Sequence, residues 1–301
     1  ALIGTAAVRI AAEWDVPTIA TLHSLPENAV GVGDHRSWLF KAVSKGFWDA
    51  VASHCRRCTR ISAPSELARG LLLDHGVPGP ITVISNGVDV RRFRPASSTA
   101  ERLAARRALG WPEQGRIVLY VGRLASEKRI DVLLEASRLL PKSLDATTVF
   151  VGKGDPAYQE LAGQLGVADR CRFHGPVSDD ELPLTYRAAD LFAFPSEAEL
   201  QGMVLLEAAA SGLPLVAAHR YAIPEIVHHG VNGYLHAPGD AAGCAEAIAT
   251  VLESDRIYRR LSRLAVRFAA DHDLNEVAAR TETLYEAAIA DQLGVPLAST
   301  A

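Results

Sequence analysis

Arg123 and Lys128, five residues apart, and Glu199 and Glu207, eight apart, are the side chains of this 301-residue chain whose types and spacing point most directly to chemistry. Gly122-Arg123-Leu124-Ala125-Ser126-Glu127-Lys128 follows the apolar run Ile117–Val121. The carboxyl edge of a parallel strand is where such sheets bind ligands, and a glycine there lets the backbone turn tightly. Two permanent cations on one short loop suit a diphosphate, the guanidinium gripping two oxygens and the ammonium acting as a point charge. The plainer reading is a solvated loop in which Glu127 caps a helix starting near Arg129.

Phe194-Pro195-Ser196-Glu197-Ala198-Glu199-Leu200-Gln201 leads from a strand end into Gly202-Met203-Val204-Leu205-Leu206-Glu207-Ala208, a helix that stops at Gly212. Free amides of Gly202, Met203 and Val204 would form a half-charge anion site of the kind that binds a β-phosphate. Glu199 on the loop and Glu207 about one and a half turns into the helix suit hydroxyls, so one can hold a sugar and the other a ribose. Glu197 competes with Glu199, and spacing does not decide between them. For the helix itself the alternative is an Ala/Leu-rich buried segment with Glu207 as its polar position. Burying that carboxylate without a partner is costly, which argues for a function.

Val149-Phe150-Val151-Gly152-Lys153-Gly154 repeats the strand-then-glycine pattern without the third glycine of a dinucleotide fingerprint, so a plain turn competes with a ligand loop. His174-Gly175-Pro176-Val177 ends the next strand; its backbone could read a flat nucleobase or form a β-turn before a helix capped by Ser178. His23 ends the strand Thr18–Leu22 and is either structural or directed at an inter-domain cleft. In the 36–48 segment Arg36, Lys41 and Lys45 stand beside Trp38, Phe40, Phe47 and Trp48. That composition, preceded by Pro26-Glu27-Asn28, suits peripheral membrane contact; a helix packed on its own sheet is the other reading. Cys55-Arg56-Arg57-Cys58 lacks the further ligands of a zinc site and the context of a redox motif, so it reads as structural. Ser62, Ser65 and Ser196 lack the strained elbow of a hydrolase nucleophile. Asp179-Asp180 falls in a capping position and makes no convincing Asp-x-Asp metal motif.

Positioning these residues requires a sheet, and the texture of the chain provides one. Short apolar runs alternate with longer Ala/Leu/Glu/Arg runs, as parallel strands and crossover helices do, which makes this an α/β chain. Strands are predicted at Thr18–Leu22, Arg60–Ala63, Thr82–Ser85, Ile117–Val121, Thr147–Val151, Cys171–Phe173, Leu191–Phe194, Leu215–Ala217 and Gly233–Leu235. The loop-like Pro95-Ala96-Ser97-Ser98-Thr99 divides them into three and six. Residues 1–95 therefore read as a partial domain, 96–274 as a complete doubly wound domain, and 275–301 as a terminal helix with a polar tail that packs back on the first domain. Amphipathic helices are predicted at Arg256–Asp271 and Asn275–Leu293.

With 49% hydrophobic and 22% charged residues the chain is neither disordered nor fibrous. Its 31 basic and 35 acidic residues leave a net charge of −4, too mild and interspersed for bulk nucleic-acid binding, so any phosphate site is local. No apolar run reaches the roughly 18 residues needed to span a bilayer. Four cysteines and no signal-peptide pattern at Ala1 point to a reducing, cytoplasmic setting, extending to the inner membrane face if the 36–48 segment docks there.

Taken together, these loops resemble the nucleotide-sugar site of retaining glycosyltransferases of the GT-B fold, family 4. Glu199-x7-Glu207 inside its Pro-Ser-Glu … Gly-Leu-Pro frame carries the likeness most strongly. It is joined by Val121-Gly122-Arg123-Leu124 with Glu127-Lys128, by Ser85-Asn86-Gly87-Val88-Asp89 … Phe93-Arg94-Pro95, by Ala63-Pro64-Ser65-Glu66, and by Pro224-Glu225-Ile226-Val227 … Gly230-Val231-Asn232-Gly233. The resemblance implies two Rossmann-type domains facing a cleft, the amino-terminal one incomplete, since residues 1–22 look like the family's mid-domain helix and the strand after it. It implies Arg123, Lys128 and the amides of Gly202, Met203 and Val204 on the diphosphate of a UDP- or GDP-linked sugar. Glu207 would hold the ribose, Glu199 the donor sugar, His174–Val177 the base, with Gly122, Gly152 and Gly154 shaping the pocket and His23 beside the transferred sugar. His23, Glu199, Arg123 and Lys128 are thus the expected catalytic set, moving a hexose with retention to a lipid-linked or polysaccharide-precursor acceptor. The resemblance also implies metal- and cofactor-free chemistry, in line with the lack of an Asp-x-Asp motif. Glu199-Leu200-Gln201-Gly202 departs from the more usual Ser/Thr-Phe-Gly or Thr-Gln-Gly continuation, which touches the sugar contact. The other readings are a GT-B epimerase or phosphorylase, lacking further cleft carboxylates or a pyridoxal lysine, and a non-catalytic nucleotide-sugar binding module.

Overall fold

Nine parallel strands form two separate sheets among the described residues, 2–24 and 38–294, of the computed structural model. The chain divides into two compact units, Ala1–Asn86 with Leu274–Ala301, and Gly87–Asp273.

In the first unit β1 (Ile19–Thr21), β2 (Arg60–Ala63) and β3 (Ile81–Val83) pair in that order, with Ile19 opposite Arg60 and Ile61 opposite Ile81. Helix α1 (Leu2–Glu13) precedes β1, α2 (Trp38–Cys55) and α3 (Glu66–Asp74) connect the strands, and the Ser65 hydroxyl caps α3 by accepting from the Ala68 amide at 3.1 Å. The terminal helix, Leu274–Leu293, belongs to this unit: its Val277 and Leu284 pack on Ile84, its Arg280 donates to the Val83 carbonyl, and its Asp291 pairs with Arg60 at 2.7 Å. A groove of 680 Å³ runs between this helix and the sheet, lined by Ile19, Thr21, His23, Ser62, Tyr285 and Ile289 among others.

The 36–48 segment is described only in part. Arg36 and Pro26-Glu27-Asn28 lie outside the described residues, as do the side chains of Trp38 and Phe40. Of the remaining aromatics Trp48 is buried, stacked on His75 at 4.1 Å, whereas Lys41 and Lys45 are exposed. The polar tail from Ala298 is likewise outside the described residues.

In the second unit six strands lie in the order β6-β5-β4-β7-β8-β9: Cys171–Gly175, Ala146–Val151, Arg116–Val121, Leu191–Phe194, Leu215–Ala218 and Gly233–His236. Ile117, Val118, Leu119, Tyr120, Val149, Phe150 and Phe192 are fully buried, as strands covered on both faces must be. Around them run α4 (Thr99–Ala108), α5 (Ile130–Leu139), α6 (Ala157–Gln164), α7 (Leu182–Ala188), α8 (Met203–Ala210), α9 (Ile223–Ile226), α10 (Ala241–Leu252) and α11 (Asp255–Ala270), the terminal helix being α12. Residues 87–95 go with this unit because Val88 donates its amide to the His272 carbonyl at 2.9 Å and Phe93 is buried edge-on to Tyr186.

A buried ion cluster pins the start of the sheet. Asp190, 2% exposed, accepts from Arg106 at 2.6 Å, Arg102 at 3.0 Å and the Ile117 amide at 2.7 Å. It ties α4 to the first residues of β4. Strand order reverses between β4 and β7, and the crevice at the carboxyl ends of two such strands is where open α/β sheets take ligands. The loops leaving β4 and β7 are the ones that carry Arg123, Lys128, Glu197 and Glu199.

Candidate functional site

Three loops leave β4, β5 and β6 side by side, and their backbones are stitched together. The Gly122 amide donates to the Val151 carbonyl at 3.0 Å, Leu124 to Lys153 at 2.9 Å, and Gly152 to Gly175 at 2.9 Å. So close an approach leaves no room for side chains. A Cβ on Gly152, whose φ is 143°, would stand 1.9 Å from the Gly122 carbonyl oxygen, and one on Gly154 would stand 2.0 Å from the Leu124 Cβ. Gly152 and Gly154 therefore serve loop-to-loop packing, a requirement that neither a plain turn nor a ligand loop alone would impose.

On the β4 loop Tyr120 is buried and donates to the Arg123 carbonyl at 2.8 Å, which fixes the turn. The Arg123 side chain is 63% exposed and pairs with Glu127 at 2.7 Å. Glu127 is itself buried, and its carbonyl accepts from the Glu197 amide at 3.0 Å, joining the β4 and β7 loops. It braces the loop instead of capping the next helix, which begins at Ile130 after a short 3-10 turn, Ser126–Lys128.

Lys128 and Arg129 then diverge. Arg129 has a left-handed backbone, φ 50°, uncommon for a residue with a side chain. Its guanidinium bonds Asp131 at 3.0 Å and also Glu197. Lys128 pairs instead with Glu199 at 2.5 Å, and the Ser196 hydroxyl donates to the same Glu199 oxygen at 2.8 Å. The two competing carboxylates are thereby sorted by two adjacent cations.

Gly202, at φ 83°, turns the chain into α8, so Gly202 is the cap and Met203 the first helical residue. The first-turn amides of a helix have no intrahelical acceptor, so those of Met203 and Val204 are available to an anion. One turn on, Glu207 accepts from the Tyr186 hydroxyl at 2.6 Å. Burial pushes the Glu207 carboxyl above its ordinary value, against the pull of Tyr186 and of nearby Arg92 and with a further push from Asp179. Tyr186 is fully buried beside Phe93 and Phe192, and nothing in its local sequence singles it out.

At the end of β6, His174 is the last residue but one of the strand, which runs to Gly175 instead of stopping at Phe173. Its Nδ1 accepts from the Trp111 indole at 3.1 Å, and burial lowers its proton affinity. Val177 packs on the core beyond it. Ser178 and Glu181 bond each other reciprocally, a capping box ahead of α7, and Arg92 donates to the Asp179 carbonyl. All the predicted donor residues thus lie in the second unit, on the carboxyl end of β6, on the loops leaving β4, β5, β6 and β7, and on the first two turns of α8. His23 alone belongs to the first unit, exposed at the end of β1 on the groove described above.

The C-x-x-C pair has inert chemistry. Burial raises the Cys55 thiol to about 11 and also raises Cys58, the reverse of a reactive thiolate. Among the described residues no group of three or more His, Cys, Asp and Glu side chains is gathered as a metal site would gather them. No described helix is long and apolar enough to cross a membrane.

Comparison with known proteins places these observations in a family. Residues 101–267, more than half of the chain, match the family model described as glycosyl transferases group 1, and residues 1–92 match glycosyltransferase family 4. A D-inositol 3-phosphate glycosyltransferase of Mycolicibacterium gilvum is 35% identical over 288 residues, covering 92% of this chain and 62% of that protein. One from Salinispora arenicola is 34% identical over 296 residues, covering 92% and 65%. The chain spans less than two thirds of the length of these relatives. Among solved structures, Anabaena Alr3699/HepE in complex with UDP-glucose superposes with a TM-score of 0.80 at 24% identity, covering 93% of this chain and 75% of that one. That likeness establishes the GT-B fold.

Proposed function

The chain belongs to the glycosyl transferases group 1 family, and on that premise we propose that it is the donor-binding part of a retaining hexosyltransferase acting on a UDP- or GDP-linked sugar. The observation that carries this reading is the meeting, at the β4/β7 switch point, of the cationic β4 loop with the amino end of α8 and its two carboxylates. The diphosphate would lie between Lys128, Arg123 and the amides of Gly202, Met203 and Val204. Glu207, with one oxygen held by Tyr186, would take the ribose hydroxyls, and Glu199 the hydroxyls of the sugar. The base would lie against the His174–Val177 loop.

Charge then does the chemical work. As the bond from the anomeric carbon to the phosphate oxygen breaks, negative charge grows on the leaving diphosphate. Arg123, Lys128 and the helix amides are aimed at that charge. The acceptor hydroxyl bonds to the anomeric carbon on the face the phosphate leaves, which retains configuration, and its proton passes to the departing phosphate oxygen. In support, a structural neighbour holds UDP-glucose, and relatives carry the name D-inositol 3-phosphate glycosyltransferase. A phosphate-bearing acceptor accords with those names, and a lipid-linked one with exposed Lys41 and Lys45 on α2.

Incubation with radiolabelled UDP-glucose and GDP-mannose tests the proposal. Arg123→Ala and Glu207→Ala should each weaken donor binding at least tenfold, the scale of one charge-assisted contact. Normal binding by both variants would show the site to be elsewhere. Binding without hydrolysis or transfer would favour the non-catalytic module.

A further inference from the structure

We infer that Glu199 is an internal competitor for Lys128 that makes the site prefer an intact nucleotide sugar over the spent nucleoside diphosphate. The inference rests on the donor-site reading above. It starts from an ion pair: Lys128 Nζ stands 2.5 Å from Glu199 Oε1, with the two side chains only 13% and 14% exposed. Shielded from water, such a pair attracts far more strongly than one on the surface. Glu199 has little freedom to leave. Its carbonyl accepts from the Ala222 amide at 3.2 Å, and its Oε1 accepts from the hydroxyl of fully buried Ser196 at 2.8 Å.

Among the described residues neither Lys128 nor Glu199 makes a second ion pair. Arg129 is the nearest cation in sequence, but its left-handed backbone directs it to Glu197, and Asp131 holds it at 3.0 Å as well. Glu197 in turn is engaged by Arg129 and cannot take over Lys128. Arg123 is paired with Glu127, Lys128 with Glu199, and Arg129 with both Asp131 and Glu197.

A diphosphate arriving at Lys128 must therefore draw the ammonium from Glu199. A largely buried carboxylate would remain with the Ser196 hydroxyl as its donor, and an uncompensated buried charge is costly. A donor that still carries its sugar repays this by presenting hydroxyl hydrogens to the carboxylate. The nucleoside diphosphate left after transfer cannot, so Glu199 returns to Lys128 and the product is released.

Calorimetric titration of wild type and Glu199→Gln with UDP, UDP-glucose, GDP and GDP-mannose tests this. Wild type should bind the sugar-bearing member of one pair more tightly than its free nucleotide. Glu199→Gln should bind that free nucleotide roughly tenfold more tightly than wild type does, collapsing the preference. Glu197→Gln should leave the preference within about twofold, because Asp131 still holds Arg129. If Glu199→Gln does not fold, Glu199→Asp, which withdraws the charge from Lys128, should tighten free-nucleotide binding in the same direction. Unchanged or weaker free-nucleotide binding by a folded variant overturns the inference and leaves the donor site standing. Failure of wild type to bind any of the four overturns the donor site itself, and the inference with it.

Discussion

The surroundings of Glu207 disfavour its charged form. Its carboxyl is pushed up mainly by burial, with Tyr186 and Arg92 pulling the other way. For a group whose folded value lies above its unfolded one, the stabilising contribution is full below the unfolded value and is lost as pH rises through the folded value. Glu207→Gln should thus melt at a higher temperature than wild type near neutral pH. The difference should vanish below about pH 4, where both forms are uncharged. The same variant should bind UDP-glucose poorly, as a side chain kept for function at a cost in stability would. Tyr186→Phe leaves the ring packed but removes the 2.6 Å bond, and should weaken nucleotide-sugar binding by roughly three- to tenfold with the melting temperature changed by a few degrees. At this scale the sequence was half legible. Arg123, Lys128, Glu199 and Glu207 stand out by type and spacing, but Tyr186 does not. Nor does the pairing of Lys128 with Glu199, 71 residues away, since only the fold brings them together.

The elements explain why so few residues suffice. Apolar runs such as Ile117–Val121 and Leu191–Phe194 can only be strands buried on both faces, so all nine strands could be read within a residue or two at their ends. The glycine loops were legible as loops but not for their reason. Gly152 is needed because the Gly122 carbonyl lies where its Cβ would be, a constraint between two strands that no local pattern reveals. Gly152→Ala should cost about 1–3 kcal/mol in chemical denaturation and misplace the Arg123 loop, lowering donor affinity as well. The Asp190 cluster was invisible for a related reason: Arg102, Arg106 and Asp190 are ordinary surface types until α4 is laid against the start of β4. Asp190→Ala strands two arginines, one of them buried, and should destabilise by about 3–5 kcal/mol while leaving the residues of the donor loops unchanged in identity and reach.

For the whole molecule, the second unit carries every proposed donor-binding residue at the carboxyl edge of its six-stranded sheet and on α8, whereas the first unit contributes three strands, the terminal helix and His23. The three-and-six division of strands was readable from the chain, and so was the family, because the motifs that carry it most strongly, Glu199-x7-Glu207 and residues 122–128, follow the two strands at the switch point. The groove beside α12 was not, since it depends on where that helix, more than 190 residues after β3, returns to pack on Ile84. The proposed function stands or falls on one nucleotide sugar being held at the β4/β7 switch point. A crystal structure of the protein with UDP-glucose or GDP-mannose measures this most directly. It should show the β-phosphate between Lys128 and the amino end of α8 and the ribose hydroxyls on Glu207. A nucleotide found elsewhere, with Lys128 still paired to Glu199 and Glu207 bonded to Tyr186 alone, would contradict it.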